Sequence, residues 1–450
     1  MAWMNTCNGK RNSRKKIKKN NYGSSSLGPR YLSGSRARRA GWKLKANFLK
    51  YLVHRRRFPL FILRASRGGI LANREMLKAA KLCKIVAFSG TYRFSLTAPR
   101  WPSAAFDRMA AGGGLNLAAA GSGRKRHIDM AILGITRKCG YRCEHCYQAS
   151  ALSGDDSIPI ARWQSVIREL QDWGTGIIVL SGGEPLLRLD GIFDLLRSAD
   201  HDLSEFHLHT SGMGLNDQIA AALCRSGLSA AGVGLDDFDP LRHDRMRGTP
   251  GAFASATQAC RILTDAGIFT YLNTCLSPGL VRDRGLFRLL ELARDLGVGI
   301  VRLLEPRPCG SYFTSEAPGF FSGTDRQATA AFHEEANTGS AYQDFPLVSY
   351  EAYIEHPDRL GCRMGGLSHF AIDSLGNVLP CVFLPVTFGN IQEEGFKVIY
   401  QRLRAAVPRP VRKNCPAVSL APLFKTRARN LNEMPISIAS IKAEWKALFN

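Results

Sequence analysis

The chain has 450 residues, of which 45% are hydrophobic, and a formal net charge of +24. A chain of this length and composition can form one large domain or two to three smaller ones around a buried core. Because no apolar run reaches the ~18 residues of a membrane-spanning helix, we expect no transmembrane span.

The positive charge is confined to the first third of the chain. Residues 1–130 carry 29 Lys and Arg against three acids, whereas the remaining 320 residues carry 32 basic and 34 acidic side chains. A basic start can bind nucleic acid or an anionic membrane surface, or serve as a targeting segment. For residues 1–40 we favour a disordered, solvated arm. Nucleic-acid binding is therefore not expected as the main function.

Residues 41–128 continue the basic region. The segment "KIVAFSGTYRFSLT" (84–97) predicts a hairpin with a glycine turn. A stretch rich in alanine and glycine then predicts a flexible linker. The twelve cysteines of the chain are unevenly spaced and no secretory signal is recognisable, which indicates a reducing compartment. We expect a cytoplasmic protein.

From residue 129 onward, short apolar runs alternate with longer segments of helical periodicity. This alternation is typical of a parallel sheet with right-handed helical crossovers. The predicted strands are 130–136, 176–180, 205–210, 230–235, 269–276 and 299–305. The predicted helices are 159–172, 189–198, 216–226, 252–265 and 284–296.

Unusual residues follow these strands where each one ends. The polar and glycine-rich strand ends are a cysteine-rich loop at 135–150, "SGGEP" at 181–185, "TSG" at 210–212, "DD" at 236–237, Asn273 and "EPRPCG" at 305–310. Ligands of parallel α/β folds bind at the carboxyl ends of the strands. We therefore expect an active site at this rim.

Three cysteines fall within eight positions of one another after the first strand: Cys139, Cys143 and Cys146. A disulfide would leave one sulfur over, and a structural zinc site normally uses four ligands in two pairs. A [4Fe–4S] cube held by three local thiolates would instead leave one iron open for a reactant. We favour this third interpretation.

The segment "CGYRCEHC" (139–146) resembles the CxxxCxxC loop of the radical S-adenosylmethionine (radical SAM) enzymes. "SGGEP" resembles their second signature, and "GVGLDDFDPLRHDRMRG" (232–248) resembles a segment found in one large branch of them. The likeness covers about residues 129–308. It implies an α/β fold, a partial (β/α)6 barrel, and an oxidoreductase that uses a [4Fe–4S] cluster and S-adenosylmethionine.

The resemblance also implies the chemistry. Cys139, Cys143 and Cys146 would bind three irons, and S-adenosylmethionine would chelate the fourth. One electron, from a donor such as a flavodoxin or ferredoxin, would cleave the sulfonium and yield a 5′-deoxyadenosyl radical that removes a hydrogen atom from the substrate. The implied cofactor-binding residues are His145, Gly182, Gly183, Glu184, Thr210, Ser211, Asp236 and Asn273. No catalytic residue is assigned beyond the cluster.

A second resemblance lies in the C-terminal part. "GCRMGGLSHFAIDSLGNVLPCVF" (361–383) alternates like a hairpin with a Gly-Asn turn and resembles the opening of the SPASM or twitch extension, which holds auxiliary iron–sulfur clusters. The full extension has further cysteine pairs, which this chain lacks. The ligands implied are Cys362, Cys381 and Cys415, with Cys309 as a candidate fourth. The alternative is that these are buried thiols of a remnant fold.

These resemblances divide the chain into a radical SAM core at 129–345 and a small cluster domain at 346–450. They imply a maturase that modifies a peptide, since such extensions commonly serve ribosomal peptide substrates. Modification of a tetrapyrrole or another cofactor side chain is the alternative within the same chemistry. A non-catalytic iron–sulfur electron carrier is the alternative outside it, although such a protein needs neither an open iron nor a GGE segment.

Overall fold

The computed structural model describes most of the chain after residue 83 and a short part before it. The described residues are 28–33, 35–37, 39–41, 43, 84–112, 128–152, 154–313, 321–428 and 430–449. The first 27 residues of the predicted arm, residues 44–83 and most of the predicted linker, 113–127, lie outside them.

The described N-terminal part is a three-stranded antiparallel sheet. It consists of β1 (Arg30–Ser33), β2 (Lys84–Phe88) and β3 (Thr91–Arg93), and α1 (Ala104–Gly112) follows it. β2 and β3 pair across a turn at residues 89–90. The hairpin predicted at 84–97 is thereby confirmed.

The prediction of a disordered arm over residues 1–40 is wrong for its last part. β1 pairs with β2 along its whole length, and Ala37 and Ala40 are buried against Ile85. Backbone pairing and the burial of small apolar side chains order this part in spite of the arginines around it.

The main sheet contains the six predicted parallel strands in chain order. They are β4 (Ile128–Gly134), β5 (Thr175–Ser181), β6 (Glu205–Thr210), β7 (Leu228–Gly234), β8 (Phe269–Cys275) and β9 (Ile300–Leu304). Each pairs in parallel with the next. Every predicted strand agrees with an observed one to within two residues at each end.

Three strands from beyond residue 345 extend this sheet. They are β10 (Leu347–Tyr350), β11 (His369–Ile372) and β12 (Val378–Leu379). β10 pairs in parallel with β9, β11 pairs in parallel with β4 on the opposite side, and β12 completes a hairpin with β11. The nine strands leave β10 and β12 at the edges, so the sheet is a partial barrel. The predicted boundary at residue 346 therefore lies within one continuous sheet.

Helices connect the strands of the sheet. They are α2 (Ile160–Asp172), α3 (Leu189–Ser198), α4 (Asp217–Arg225), α5 (Pro240–Arg247), α6 (Ala252–Asp265), α7 (Pro278–Arg282), α8 (Gly285–Asp295), α9 (Gly323–Thr338) and α10 (Glu351–Ile354). The five predicted helices agree with α2, α3, α4, α6 and α8 to within one residue at each end. α5, α7, α9 and α10 were not predicted.

The C-terminal part consists of short elements. They are β13 (Val386–Thr387), α11 (Phe396–Ala406), α12 (Pro416–Ser419), α13 (Ala421–Arg427), β14 (Ile436–Ser437) and α14 (Lys442–Ala447). They share the large hydrophobic core with the barrel helices; for example, Tyr400 of α11 packs edge-on against Trp173, with ring centroids 5.4 Å apart.

The N-terminal hairpin covers the amino-terminal end of the inner face of the sheet. Val86 and Phe88 pack in a small cluster with Phe269 and Ile300 of β8 and β9. Arg93, 2% exposed, pairs there with the buried Glu205 of β6. The hairpin is therefore joined to the barrel by apolar packing and by a buried ion pair.

Among the described residues, no helix combines the length and the hydropathy that crossing a membrane requires.

Candidate functional site

A cavity of about 1810 Å³ opens at the carboxyl ends of the strands. All residues that the sequence predicted as ligands line it: Cys139, Cys143, His145, Cys146, Gly182, Gly183, Glu184, Thr210, Ser211, Asp236, Asn273, Cys362, Cys381 and Cys415. Cys309 lines it as well. One cavity therefore joins the two predicted cluster sites.

The cysteine loop (residues 135–150) is held first by the GGE segment. The N–H groups of Gly183 and Glu184 donate to the carbonyls of Thr136 and Lys138, both at 2.8 Å. A Cβ on Gly183 would lie 2.2 Å from the Lys138 oxygen, which no side chain could occupy. The loop that carries Cys139 thus depends on a glycine at position 183.

Two further segments hold the other end of the cysteine loop. Glu144 N–H donates to the carbonyl of Met246 at 3.0 Å, near the end of α5. Ser311 N–H donates to the carbonyl of Cys146 at 2.9 Å, and its hydroxyl donates to the carbonyl of Cys143 at 3.2 Å. Segments that follow β5, β7 and β9 therefore fix the positions of the three thiols.

The three thiols are partly buried beside charged side chains. Burial raises the pKa of Cys139 and Cys143, and raises that of Cys146 to about 12. The guanidinium of Arg247 hydrogen-bonds the Cys143 sulfur and acts in the opposite direction. This cation would favour a thiolate at Cys143, the form that binds iron.

In the described part of the chain, no three His, Cys, Asp or Glu side chains converge as they would around a single metal ion. A cube does not require such convergence, because each thiolate binds a different iron. The donor set of three thiols on one clamped loop fits such a cluster.

Glu184 is buried and fully engaged. One carboxylate oxygen accepts from the Thr210 hydroxyl at 2.7 Å and from Leu186 N–H at 3.1 Å. The other accepts from the N–H and the hydroxyl of Ser211, at 2.7 and 2.5 Å. A carboxylate has about four acceptor sites, so Glu184 has none left for a ligand's ammonium. Its side chain anchors the turn after β6.

Asp236 and Arg247 form an ion pair beside the cysteine loop. Asp236 Oδ2 lies 2.7 Å from Arg247 Nε and 3.4 Å from His145 Nε2. Burial would raise the pKa of Asp236, but Arg247 and His145 hold it below its usual range. Burial lowers the pKa of His145 to about 4, so its imidazole is neutral at pH 7. Asp236 Oδ1 accepts from Cys275 N–H at 2.9 Å.

Arg247 is not among the residues that the sequence predicted to bind the cluster or the cofactor. The structure buries it between Asp236 and Cys143, and its side chain is 12% exposed. The available signal was the segment 232–248, which begins with two glycines of β7, Gly232 and Gly234, and has Arg247 as its next-to-last residue. Glycines inside a barrel leave space that a long side chain from elsewhere can occupy.

Two polar atoms of predicted cofactor residues are buried with neither a hydrogen-bond partner nor an ion-pair partner among the described residues. They are Asn273 Oδ1 and His145 Nδ1. Buried polar atoms are normally paired, so both atoms could accept hydrogen bonds from a bound ligand. Asn273 and His145 therefore fit a ligand with hydroxyl or amino donors.

The second set of cysteines lies on the other side of the cavity. Cys362 exchanges two backbone hydrogen bonds with Val411, at 2.8 and 3.0 Å, and this ladder places it near the segment that leads to Cys415. Burial raises the pKa of Cys362, and raises that of Cys381 to about 12. Each of these thiols is also within electrostatic range of Cys415.

Cys309 joins this second set from the barrel. It is 4% exposed, and burial raises its pKa. The nearby Cys381 thiol, when ionised, acts in the same direction. Tyr147, adjacent to Cys146, contacts Phe383 edge-on with ring centroids 6.1 Å apart. The cysteine loop is therefore also in direct contact with the turn that carries Cys381.

Replacing Gly183 by alanine should displace the start of the cysteine loop, because the new Cβ would collide with the Lys138 carbonyl. We expect Gly183→Ala to lose about four irons per chain after anaerobic reconstitution, while any iron at the C-terminal cysteines remains. Gly323→Ala is the matched control, since no atom lies within 4 Å of that Cβ position. Full iron in Gly183→Ala would contradict the proposed dependence.

Comparisons with known proteins match two parts of the chain. The model of the Radical SAM superfamily matches residues 133–290, and that of SPASM, an iron–sulfur cluster-binding domain, matches residues 362–417. A similar curated protein is an Fe-coproporphyrin III synthase of Methanosarcina barkeri (strain Fusaro / DSM 804), 30% identical over 299 residues, which are 61% of this chain and 74% of that protein.

Two further similar proteins are a heme synthase and a peptide cyclase. An AdoMet-dependent heme synthase of the same organism is 28% identical over 59% of this chain and 80% of its own length. A PqqA peptide cyclase of Streptomyces rochei is 27% identical over 56% of this chain and 68% of its own length. Among solved structures, Streptococcus suis SuiB bound to its precursor peptide SuiA has a similar fold, with a TM-score of 0.54 and 15% identity over 72% of this chain and 79% of that one.

The predicted α/β fold of the partial-barrel type is confirmed by these matches. A radical SAM domain uses a [4Fe–4S] cluster and S-adenosylmethionine, and a SPASM domain binds auxiliary iron–sulfur clusters. The chain therefore belongs to the radical SAM superfamily, as an enzyme with a C-terminal SPASM extension.

Proposed function

We propose that the enzyme cleaves S-adenosylmethionine reductively and removes a hydrogen atom from a substrate bound in the cavity between the two sets of cysteines. The observation that carries this proposal is that both sets, together with the GGE segment, line one cavity. When bound, the first cluster and S-adenosylmethionine supply the 5′-deoxyadenosyl radical. The protein supplies position and exclusion of water.

In this proposal, Cys139, Cys143 and Cys146 bind the first cluster as thiolates. Arg247 supports the thiolate at Cys143 by its hydrogen bond, and Asp236 fixes that guanidinium. The close approach of residues 182–184 to the loop leaves their backbone facing the cavity.

Among the other predicted cofactor residues, Asn273 and His145 would accept hydrogen bonds from S-adenosylmethionine through the atoms that have no described partner. Thr210 and Ser211 line the cavity, but their hydroxyls already donate to Glu184. We therefore assign these two residues, with Glu184, to the shape of the site.

For the auxiliary cluster we propose Cys362, Cys381 and Cys415 as ligands, with Cys309 as the fourth. A cube bound by thiolates alone needs four of them, and only three cysteines lie in the matched SPASM segment. Cys309 is supported by its place in the same cavity and by its proximity to Cys381 and Cys415. Such a cluster would accept the one electron that the substrate radical loses after the hydrogen atom has been removed.

The substrate that we propose is a peptide. The similarity to a PqqA peptide cyclase and the size of the cavity, about 1810 Å³, support this class. A flavodoxin or ferredoxin is the proposed electron donor, because the first cluster must be reduced for each cleavage. The proposed location is the cytoplasm, for which the cysteine content argues.

A tetrapyrrole is the second candidate substrate. It is favoured by the similarity to an Fe-coproporphyrin III synthase at 30% identity and to AdoMet-dependent heme synthases from three organisms at 23–28%. The apolar lining of the cavity suits a macrocycle as well as peptide side chains.

The first prediction of this proposal concerns Cys146. The reconstituted enzyme with reductant should convert S-adenosylmethionine to 5′-deoxyadenosine, and Cys146→Ala should abolish this because one thiolate of the first cluster is lost. Product is measured by liquid chromatography under anaerobic conditions. Cys260→Ala, which removes a buried thiol of α6 away from the cavity, should retain the activity. Equal rates in both variants would refute the assignment.

The second prediction concerns the auxiliary cluster. A variant with Cys139, Cys143 and Cys146 all replaced by alanine should retain about four irons per chain. Adding Cys309→Ser should lower this content or leave a three-iron cluster with a distinct electron paramagnetic resonance signal. Adding Cys260→Ser should change neither. Absence of iron in the triple variant would show that the C-terminal cysteines hold no cluster.

A further inference from the structure

The inner face of β6 carries three polar residues in succession. Glu205, His207 and His209 alternate with Phe206 and Leu208, which are fully buried in the large outer core. Because successive side chains of a strand point to opposite faces, the acid and both histidines lie inside the barrel. Of these three, only His209 lines the cavity.

Tyr271 of β8 connects the two histidines across the intervening strand β7. Its hydroxyl lies 3.3 Å from His207 Nδ1 and 2.9 Å from His209 Nε2. A Cβ on Gly232 of β7 would lie 2.5 Å from the Tyr271 ring, so only a glycine lets the ring reach β6. Glu205 Oε1 lies 3.3 Å from His207 Nε2 and continues the chain away from the cavity.

The far end of this chain is fixed by the N-terminal hairpin. Arg93 pairs with Glu205, and its guanidinium lies 4.6 Å from the centre of the Phe269 ring. Arg100 N–H donates to the other carboxylate oxygen of Glu205 at 2.7 Å. Burial would raise the pKa of Glu205, but Arg93 and His207 hold it below its usual range, so the group is a carboxylate.

The direction of every hydrogen bond follows from that carboxylate. Glu205 can only accept, so His207 donates from Nε2. Burial lowers the pKa of His207, and the neutral ring must therefore accept at Nδ1 from the Tyr271 hydroxyl. With its one proton used, the Tyr271 oxygen must accept from His209 Nε2–H.

The remaining nitrogen of His209 then carries a lone pair. Burial holds the pKa of His209 well below its usual range, and the Arg302 guanidinium of β9 and His207 act in the same direction. Arg302 itself is paired with Glu351 of α10 at 3.3 Å. His209 lines the cavity, and none of the described residues hydrogen-bonds its Nδ1.

We propose that His209 is a specificity-determining residue that accepts a hydrogen bond through Nδ1 from an N–H or O–H group of the substrate, and that Tyr271, His207, Glu205 and Arg93 are positioning residues that fix its tautomer. His209 is not a proton carrier, since a neutral imidazole with so low a pKa holds a proton poorly. A site built to pair with a donor strongly rejects analogues that lack it.

This inference rests on the proposed function and selects between its two substrate classes. Peptides present amide N–H donors throughout. An iron-loaded tetrapyrrole has no pyrrole N–H, and its carboxylates are ionised at neutral pH. It therefore has no hydrogen-bond donor for the lone pair of His209, which could bind only its iron. The acceptor at His209 therefore favours a peptide.

The state of His209 can be measured without any turnover. Diethyl pyrocarbonate acylates unprotonated, accessible imidazole nitrogens, and peptide mass spectrometry locates the product. We expect acylation of His209 at rates that differ by less than about twofold between pH 5.5 and 7.5, whereas a histidine of ordinary pKa changes about tenfold over this range. His207, with both nitrogens bonded, should not react, and the exposed His356 shows that the reagent is active.

Two added ligands test whether His209 binds the cofactor or an iron tetrapyrrole instead of a peptide. S-adenosylmethionine alone should leave the acylation rate of His209 within about twofold, since the proposed donor belongs to the substrate. Fe-coproporphyrin III should show no Soret shift that depends on His209, as judged with His209→Leu and with His209→Gln, which keeps an acceptor.

Three results would overturn the proposal. They are an unreactive His209 beside a reactive His356, protection of His209 by S-adenosylmethionine alone, and a Soret shift that His209→Leu removes. The last would assign the lone pair to iron. Because none of these measurements requires reductant or cofactor cleavage, their outcome is independent of whether the enzyme cleaves S-adenosylmethionine.

Discussion

The site depends on the backbone hydrogen bonds that hold the cysteine loop against its three neighbours. The loop has no regular secondary structure, so its shape is set by the carbonyls of Thr136, Lys138 and Cys146, which accept from the segments after β5 and β9, and by the N–H of Glu144, which donates to α5. Together these contacts join the loop to the segments that follow three strands, β5, β7 and β9. The thiols can therefore move only if the rim of the barrel moves.

The auxiliary cysteines are connected to the same loop and to the strand that leads into it. Gly310 packs so closely on the carbonyl of Cys146 that a Cβ there would lie 1.9 Å from the oxygen, and Cys309 is its immediate neighbour. β11, which follows Cys362 in the chain, pairs with β4, the strand that leads into the cysteine loop. The auxiliary cysteines are thus attached, through Gly310 and through β11, to β4 and to the cysteine loop that follows it.

Much of the fold follows from local sequence. The six strands, five crossover helices and two hairpins are encoded by periodicity and turn residues, and the rim followed from the parallel order of the strands. The predicted ligands at the strand ends, from Cys139 to Asn273, line the cavity for that reason.

What the sequence did not predict depends on contacts between distant residues. Arg247 looked like one of many arginines, because its partners Asp236 and Cys143 are separated from it by 11 and 104 positions. β1 was assigned to the arm because its pairing with β2 cannot be read from charge. The role of "EFHLHT" depends on Tyr271 reaching over Gly232, which only the packed barrel reveals.

The central claim is that one clamped loop holds a cluster with an open iron in a cavity that also reaches a second cluster. Electron paramagnetic resonance of the fully reduced enzyme, recorded before and after adding S-adenosylmethionine, tests it most directly. The account predicts signals from two clusters, of which one changes its g values on addition and the other does not. A single signal, or two signals whose g values both stay unchanged on addition of S-adenosylmethionine, would contradict it.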